Sequence, residues 1–302
     1  MPPIRRDSIA SLLAPDLFRV VVETGMERPL EFPFWVNVVD MPWNPVTDRQ
    51  VSGLGTVPSK PEGSTFPFDD PVVGSTKTYT AVPYGLAVEV TFEAWDDELY
   101  GYLRDLMREL KRSSNNRLEV DGHNILNEAF VTTNETGFDG AALISTDHTA
   151  LDGRTGIANR PAVDVGFGLT AIQNASFSFH NTVDERNIPR LITPTMFLLA
   201  PENMFTAREM LGSSGKPFTA DNEINALLQE NWSWMISHYL DTNTNWFLFA
   251  AKGEHDLNFM MRNRPIFDAF DDPRTKNAVF TVYQRHDPSS FGSYVGTYGS
   301  TG

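Results

Sequence analysis

The chain has 302 residues, of which 41% are hydrophobic and 21% charged, and it contains no cysteine. This composition is typical of a globular protein with a sizeable core, and the lack of cysteine excludes disulfides, thiolate metal sites and cysteine nucleophiles. The net charge of −15 argues against nucleic-acid binding, because an acidic surface repels phosphates. No apolar run approaches the roughly 18 residues of a membrane helix, and the first residues lack the apolar stretch of a signal peptide. We therefore expect a protein that has no membrane segment and is made in the cytoplasm.

The beginning of the chain carries one short apolar stripe. Its members recur at helical spacing: Ile9, Leu12, Leu13, Leu17 and Val20. A stripe of this length is too short to form a core of its own, so the pattern predicts an N-terminal arm, taken as residues 1–39, that packs on something else.

Residues 40–75 are rich in proline and glycine, which break both helices and sheet ladders. Large apolar side chains are nevertheless scattered through this region, among them Trp43, Phe66 and Phe68. A long irregular loop inside a compact domain is uncommon. We therefore predict an extended loop that lies on a neighbouring subunit, with these three aromatic residues as the subunit-interface anchors. A surface loop without a partner is the alternative.

Residues 86–92 alternate between apolar and polar, which predicts a half-buried strand. The pattern then changes to that of a helix, with Asp96 as a good N-cap. Apolar residues recur in one helical phase: Leu99, Leu103, Leu106, Leu110, Leu118, Ile125 and Ala129. The phase predicts one long helix over residues 97–130, in which Gly122 is the weakest position because glycine costs about 1 kcal/mol relative to alanine.

The second half of the chain mixes strands with short helices. Residues 134–168 are glycine-rich and predict loops. Thr170 and Gln173 have the spacing of a capping box for a helix that runs to Phe179. Further elements are predicted as strands at Met196–Ala200, 232–238, Trp246–Ala250 and 278–285, and as helices from Pro201 to Gly212 and over Asp221–Glu230. The mixture predicts an α+β fold without regular strand–helix alternation.

The sequence contains no recognisable enzyme motif, so it predicts no catalytic, cofactor-binding or metal-binding residue. Gly215–Lys216 cannot belong to a P-loop, because Pro217 stands where serine or threonine is needed. There is no Gly-x-Ser-x-Gly elbow. Asp147–His148, with Asp152, and Glu254–His255–Asp256 contain metal-ligand residue types. They lack the paired histidines of a helical zinc motif, so we expect ordinary surface residues at both places.

Three segments carry a family resemblance: Ile192–Leu211, Asn245–Ala250, and Phe280–Asp287 followed by Tyr298–Ser300. Their order resembles the Hong Kong 97-type fold of tailed-phage major capsid proteins, and most of all the Mu-like major head subunit. In that family a strand and a proline lead into a short helix, a tryptophan-led strand follows, and the chain closes on a strand. The resemblance covers roughly residues 85–302, at the level of element order.

The resemblance implies five segments. These are an N-terminal arm (1–39), an extended loop (40–85), a peripheral domain with a long spine helix (86–185), an axial domain (186–275) and a return strand to the peripheral domain (276–302). No long charged, helical scaffolding segment precedes residue 1, which suggests either a separate scaffolding protein as a partner or prior cleavage of such a segment. Met1 as the first residue favours the separate protein.

The implied function is structural. Copies of the chain would assemble as pentamers and hexamers into an icosahedral head around the double-stranded DNA of a tailed phage, without cofactors and without sequence-specific DNA binding. The implied partners also include a portal and a decoration protein. The implied location is the capsid of the virion, after assembly in the host cytoplasm. An encapsulin-like shell protein and an acidic α+β hydrolase with an unrecognised site are the alternatives.

Overall fold

The computed structural model describes residues 29–96, 100–133, 135–215, 224–275, 277–288 and 290–302. The strands within these ranges are β1 (Asn37–Asp40), β2 (Val46–Val51), β3 (Val73–Tyr79), β4 (Val82–Val90), β5 (Pro194–Leu199), β6 (Ser233–Ile236), β7 (Trp246–Ala250), β8 (Leu257–Asp271), β9 (Ala278–His286), β10 (Ser290–Phe291) and β11 (Thr297–Ser300). The helices are α1 (Phe92–Asp96), α2 (Tyr100–Asn127), α3 (Leu169–His180) and α4 (Met204–Gly212), with 3-10 turns at Phe32–Phe34, Pro201–Asn203 and Ala226–Glu230. The predicted α+β class is confirmed, whereas the stripe from Ile9 to Val20 lies outside the described residues.

The strands form three sheets. In the largest, the order is β1-β8-β9-β4, and β10 also pairs with β8. The second sheet has the order β11-β7-β5-β6, and β2 pairs with β3 in a separate two-stranded ladder. The largest sheet therefore combines strands from the beginning, the middle and the end of the chain.

Helix α2 confirms the predicted long helix, although it is assigned to Tyr100–Asn127 and not to 97–130. Its 28 residues span about 42 Å at 1.5 Å per residue. The predicted stripe is buried at Leu110, Leu118 and Ile125. The side chains of Leu99 and Leu103 lie outside the described part of the chain. Two separate apolar clusters receive the stripe, one under β4 and β9 and one that reaches β7 and β8. The helix thereby connects the two larger sheets.

Gly122, the predicted weak point of α2, has a packing role. A Cβ atom at this position would lie 2.7 Å from both Cβ and Cγ of Phe32, closer than carbon atoms approach without repulsion. Phe32 is 1% exposed and its ring lies 4.7 Å from that of Phe259, centroid to centroid. The missing side chain lets the segment before β1 pack directly on the helix backbone.

The predicted strands in the second sheet are confirmed at β5 and β7, both of which are apolar and largely buried. The predicted helix from Pro201 to Gly212 is also present, with the 3-10 turn as its first part. The predicted capping box is wrong. Helix α3 begins after Gly168, which makes no side-chain capping bond, so Thr170 lies inside the helix.

The helix predicted over Asp221–Glu230 is wrong in its described part, which contains only the 3-10 turn Ala226–Glu230. The physical reason is Asn225. Its side-chain amide donates to the carbonyls of Met210 (2.7 Å) and Ser213 (2.9 Å), while its Oδ1 accepts from Leu227 N at 3.2 Å. These bonds hold Asn225 in an extended conformation, with ψ at 102°, so a helix cannot pass through it.

Strands from different predicted segments pair within the same sheet. Strand β8, from the segment 186–275, pairs with β9 of the largest sheet. Strand β11, from the segment 276–302, pairs with β7 of the second sheet. The division into peripheral and axial domains stays a prediction.

Candidate assembly surfaces

The segment between β2 and β3, residues 52–72, contains neither helix nor strand. We call it the arm, and it is distinct from the predicted N-terminal arm, residues 1–39. Its apolar side chains point away from the core. Val57 is 90% exposed, Phe66 75% and Phe68 96%. Large exposed apolar patches are typical of surfaces that a partner covers, so the arm is a candidate contact surface.

The arm leaves and rejoins the molecule at one point. Ser52 N donates to Val72 O, and Val72 N donates to Ser52 Oγ, both at 2.9 Å. Further out, Gly55 N donates to Asp69 Oδ2 at 2.7 Å. These bonds close the base of the arm, so its apolar residues form a projection and not part of the fold's interior.

One end of the β2–β3 ladder lies in a small apolar cluster, where Tyr79 and Val46 pack with Met41 and Met260, and polar contacts fix the rest of the ladder. Lys77 Nζ forms an ion pair with Glu135 at 2.5 Å and donates to Thr136 O at 2.7 Å. Ser75 Oγ donates to Phe138 O at 2.5 Å. Strand β3 is therefore seated on residues 135–138.

A second set of polar contacts holds the arm base from the other side. Arg186 donates to Asp70 O at 2.6 Å and to Ser52 Oγ at 3.2 Å. Gln50 of β2 donates to Glu185 at 3.0 Å. The arm base thus lies between two anchoring loops, and the arm beyond it is free of the subunit's core clusters.

All three predicted interface anchors are exposed, Trp43 to 65%. The arm carries Phe66 and Phe68, whereas Trp43 belongs to the segment before β2. Lys60 Nζ lies 5.0 Å from the centroid of the Phe66 ring, within the range of a cation–π contact. Their role as subunit anchors stays a prediction, because the structure contains a single chain.

Sequence reasoning missed other exposed apolar residues. On β8 and β9, Ile266 and Tyr283 are paired in register, and they are 45% and 40% exposed. Phe270 of the same sheet is 54% exposed, and Phe205 of α4 is 66% exposed. Alternation along β9 was the signal available, since every second residue of an open sheet face points away from the core.

Helix α2 also holds buried ionisable groups, all of which have structural partners. Asp121 accepts from Arg117 Nε at 2.8 Å and lies 2.7 Å from His286 Nε2. Glu119 accepts from the backbone N–H groups of Glu31 and, at 3.2 Å, of Phe32. Burial raises the pKa of Glu119 to about 7, against those two hydrogen bonds. The two carboxylates tie β9 and the segment before β1 to the helix.

Two predictions of surface residues are wrong. His148 is fully buried and His255 is 4% exposed, whereas Asp147 and Glu254 beside them are exposed. Both histidines pack against aromatic rings, His148 on Tyr294 and His255 on Phe249, which sequence spacing cannot reveal. Among the described residues no three histidine, aspartate or glutamate side chains form a group able to hold a metal ion.

None of the helices in the described ranges has both the length and the apolar character needed to cross a membrane.

A profile of the phage capsid protein family matches residues 74–290, well over half of the chain. The chain therefore belongs to the phage capsid protein family, whose members are structural proteins of the virion capsid and not enzymes. No curated protein matches this chain in sequence.

Solved structures share its fold. One from Microbacterium phage Oxtober96 superposes with a TM-score of 0.52 and 12% identity, over 92% of this chain and 93% of the other. A virus-like particle from Pyrococcus furiosus has a TM-score of 0.54 and 9% identity, over 95% and 97% of the two chains. The procapsid of bacteriophage JBD30 has a TM-score of 0.52 and 16% identity, over 100% of this chain and 76% of the other. At such identities the likeness establishes the fold, which is of the Hong Kong 97 type.

Proposed function

We propose that this chain is the major subunit of an icosahedral phage head, in which its copies form pentamers and hexamers around double-stranded DNA. The observation that carries the proposal is the arm, an apolar projection that contributes to none of the subunit's own core clusters. An isolated subunit gains nothing by exposing Phe68 to 96%, because its burial would stabilise the molecule by about 2 kcal/mol. A neighbouring copy that covers the arm recovers this free energy.

In this proposal the predicted segments have distinct roles. The arm, residues 52–72, is the projecting part of the extended loop 40–85 and lies on a neighbouring subunit, and α2 is the spine helix of the peripheral domain. The second sheet, with α3 and α4, belongs to the axial domain around the centre of each pentamer or hexamer. A separate scaffolding protein, a portal and a decoration protein are the further partners we propose, with assembly in the host cytoplasm. The particular kinship with Mu-like head subunits also remains a proposal.

The net charge of −15 bears on both DNA and assembly. An acidic inner wall does not adhere to DNA phosphates, so a packaged genome slides against it. The same charge makes subunits repel one another within a screening length of about 8 Å at physiological ionic strength. We therefore expect raised salt to lower the subunit concentration at which shells form.

Deletion of the arm tests the proposal. Residues 54–70 are removed and the ends near Ser52 and Val72, which are already hydrogen-bonded to one another, are joined by a short glycine turn. We expect a soluble subunit with a normal thermal unfolding transition that forms no shells, as seen by electron microscopy and sedimentation. A matched control replaces Leu191, which is 85% exposed outside the arm, with serine and should assemble.

Two results would count against the proposal. If the deletion unfolds the subunit with no separate assembly defect, the arm belongs to the fold itself. If the intact chain stays a monomer or a small oligomer at all concentrations and salt levels, it does not build a shell alone. DNA-filled particles from the native source, as opposed to protein-filled ones, distinguish a phage head from an encapsulin-like shell.

A further inference from the structure

Four histidines in the described part of the chain are buried to 4% exposure or less, and they differ in what faces their ring nitrogens. At His123, Nδ1 lies 2.8 Å from Glu119 O and Nε2 lies 3.0 Å from Ser237 Oγ. A hydroxyl both donates and accepts, so a neutral ring satisfies both contacts. At His255 and His286 one ring nitrogen has no hydrogen-bond partner. All three sites suit a neutral imidazole.

His148 is different, because both of its nitrogens face acceptors. Nδ1 lies 2.7 Å from Asp139 Oδ2, and Nε2 lies 3.1 Å from Asn159 Oδ1. A neutral imidazole has a single N–H, whereas the imidazolium has two. In a neutral ring at this position, the lone pair of the unprotonated nitrogen would therefore face a lone pair of Asp139 Oδ2 or Asn159 Oδ1.

The orientation of Asn159 is fixed by three other bonds. Its side-chain NH₂ donates to Leu143 O at 2.8 Å and to Thr297 Oγ1 at 3.1 Å, while Oδ1 accepts from Ser145 N at 2.9 Å. A rotation that turned the NH₂ group toward His148 would break all three, in a site that is 5% exposed. Because this orientation is fixed, Asn159 presents Oδ1, an acceptor, to His148.

Asp139 is also fixed as an acceptor. Burial alone would raise its pKa, but hydrogen bonds from His148, Ala141 N and Thr149 N outweigh burial and hold the pKa below its usual range. An ionised carboxylate accepts and cannot donate. The pair of His148 and Asp139 is thus arranged as a buried ion pair.

We propose that His148 is held as a doubly protonated imidazolium and that its ion pair with Asp139 is a pH-sensitive lock on the loop that seats the arm. Asp139 is close in sequence to the residues that bind β3. Asp139 follows Phe138, whose carbonyl accepts from Ser75 of β3, and Lys77 of β3 binds Glu135 and Thr136 in the same loop. On the other side of the ring, Asn159 O accepts from Gly299 N of β11. The lock therefore joins the seat of the arm to the second sheet.

The groups that surround the ring favour a cation. The Tyr294 ring stacks on His148, with centroids 3.7 Å apart. Burial first, and then the charges of Glu185 and Asp139, raise the pKa of Tyr294 to about 12, so this neighbour stays neutral. Asp152 adds a further negative charge that acts on Tyr294, and Arg154 is the positive charge that opposes it there. Without its second ring proton, His148 would face acceptors at both nitrogens, so the ring is repelled and the seat of β3 loosens.

The protonation state can be measured directly on the unmodified protein. Magic-angle-spinning NMR of 15N-histidine-labelled protein, whether assembled or as free subunits, distinguishes protonated from unprotonated ring nitrogens. We expect one buried histidine, assigned to His148 by its disappearance in a His148→Gln variant, with both nitrogens protonated at neutral pH. The three other buried rings should each show one unprotonated nitrogen. A neutral His148 would overturn the proposal.

The link to the arm is tested by hydrogen–deuterium exchange. The peptide that covers β3 is followed in the intact protein from mildly acidic to alkaline pH, after correction for the intrinsic exchange rate. We expect corrected exchange to rise several-fold at alkaline pH. Asp139→Asn should abolish this rise, because its amide can donate to a neutral ring while the ring's remaining N–H donates to Asn159. The control Asp147→Asn removes an exposed carboxylate of the same loop and should keep the rise.

Two outcomes would contradict the lock. Exchange at β3 that does not depend on pH in the unmodified protein would show that the seat does not respond to His148. An unchanged rise in Asp139→Asn would assign the response to another group. Both measurements concern the fold of the subunit, so they stand even if the proposed shell function fails.

Discussion

The core around α2 and the arm use the same kind of residue in opposite ways. Phe247 and Leu126 are 0% exposed and belong to a cluster that joins the helix to the sheets. Phe66 and Phe68 of the arm are 75% and 96% exposed, and hydrogen bonds at the base hold the arm in place. The chain thus divides its large apolar side chains between its own stability and its neighbours. An aromatic content of 12% cannot reveal this division.

The comparison predicts that the subunit's free energy of unfolding depends on the core and hardly at all on the arm. The largest effect should come from Phe247→Ala, because removal of a buried phenylalanine side chain costs about 3–5 kcal/mol. Urea unfolding of the unassembled subunit measures it. Phe205→Ala, at a residue 66% exposed, is the control and should change stability by less than about 0.5 kcal/mol. Equal losses of unfolding free energy in both variants would mean that Phe205 contributes to the core as much as Phe247 does.

The next effect should come from Gly122→Ala. Alanine improves helix propensity by about 1 kcal/mol, but its Cβ would collide with Phe32, and overpacking of a tight core costs about 1–3 kcal/mol. We expect net destabilisation in the same urea measurement. Combining it with Phe32→Ala should cost less than the sum of the two single variants, since the collision is then removed. Net stabilisation by Gly122→Ala alone would show that the segment before β1 does not pack on α2.

The core also predicts a pH dependence. The pKa of Glu119 is raised from 4.5 to about 7, so the folded subunit binds a proton more readily than the unfolded chain. Its contribution is fully present below pH about 4.5 and is lost as pH rises to about 7, by at most about 3 kcal/mol. Glu119→Gln should remove this slope, measured as the difference from wild type in unfolding free energy at several pH values.

The unfolding free energy of Glu119→Gln is compared with that of wild type because other buried groups also titrate. Burial lowers the pKa of His123 and of His255 to about 4. Their stabilising effect is lost as pH falls from about 6.5 toward 4, which is a slope of the opposite sign. Wild type and Glu119→Gln share the part of this slope that comes from His255, so that part cancels in the difference. His123 Nδ1 lies 3.6 Å from Glu119 Oε2, and its part is distinguished by its opposite sign. A difference that does not vary with pH would mean that Glu119 is ionised without penalty.

The core was largely predictable from the sequence because its elements repeat a pattern. The stripe of α2 keeps one helical phase from Leu106 to Ile125, and Trp246–Ala250 is apolar at every position, as a strand buried on both faces must be. Strand β8 was missed for a physical reason. Arg262 to Pro265 interrupts its alternation, and the register against β9 shifts between Met261 and Asn263 and again before Ile266.

The arm was predictable in place but not in its attachments. Proline and glycine marked residues 40–75 as irregular, yet β2 and β3 carry no apolar pattern because most of their residues face solvent. The buried pair of Asp121 and His286 joins residues 165 positions apart, and the partner set of His148 depends on the rotation of one asparagine side chain. Local sequence contains neither kind of information.

The smallest effect on the unfolding free energy should come from Phe68→Ala, which tests the arm most directly. A side chain that is 96% exposed stabilises the free subunit by almost nothing, so the change in unfolding should stay within about 0.5 kcal/mol. If Phe68 is an interface anchor, the same truncation removes about 2 kcal/mol from each contact. That loss raises the subunit concentration needed for assembly by about 30-fold. Light scattering against concentration measures this threshold, and Leu191→Ala, at a residue 85% exposed outside the arm, should leave it unchanged. A threshold equal to that of wild type would remove Phe68 from the interface, while a loss of subunit stability would mean that the arm packs on its own subunit after all.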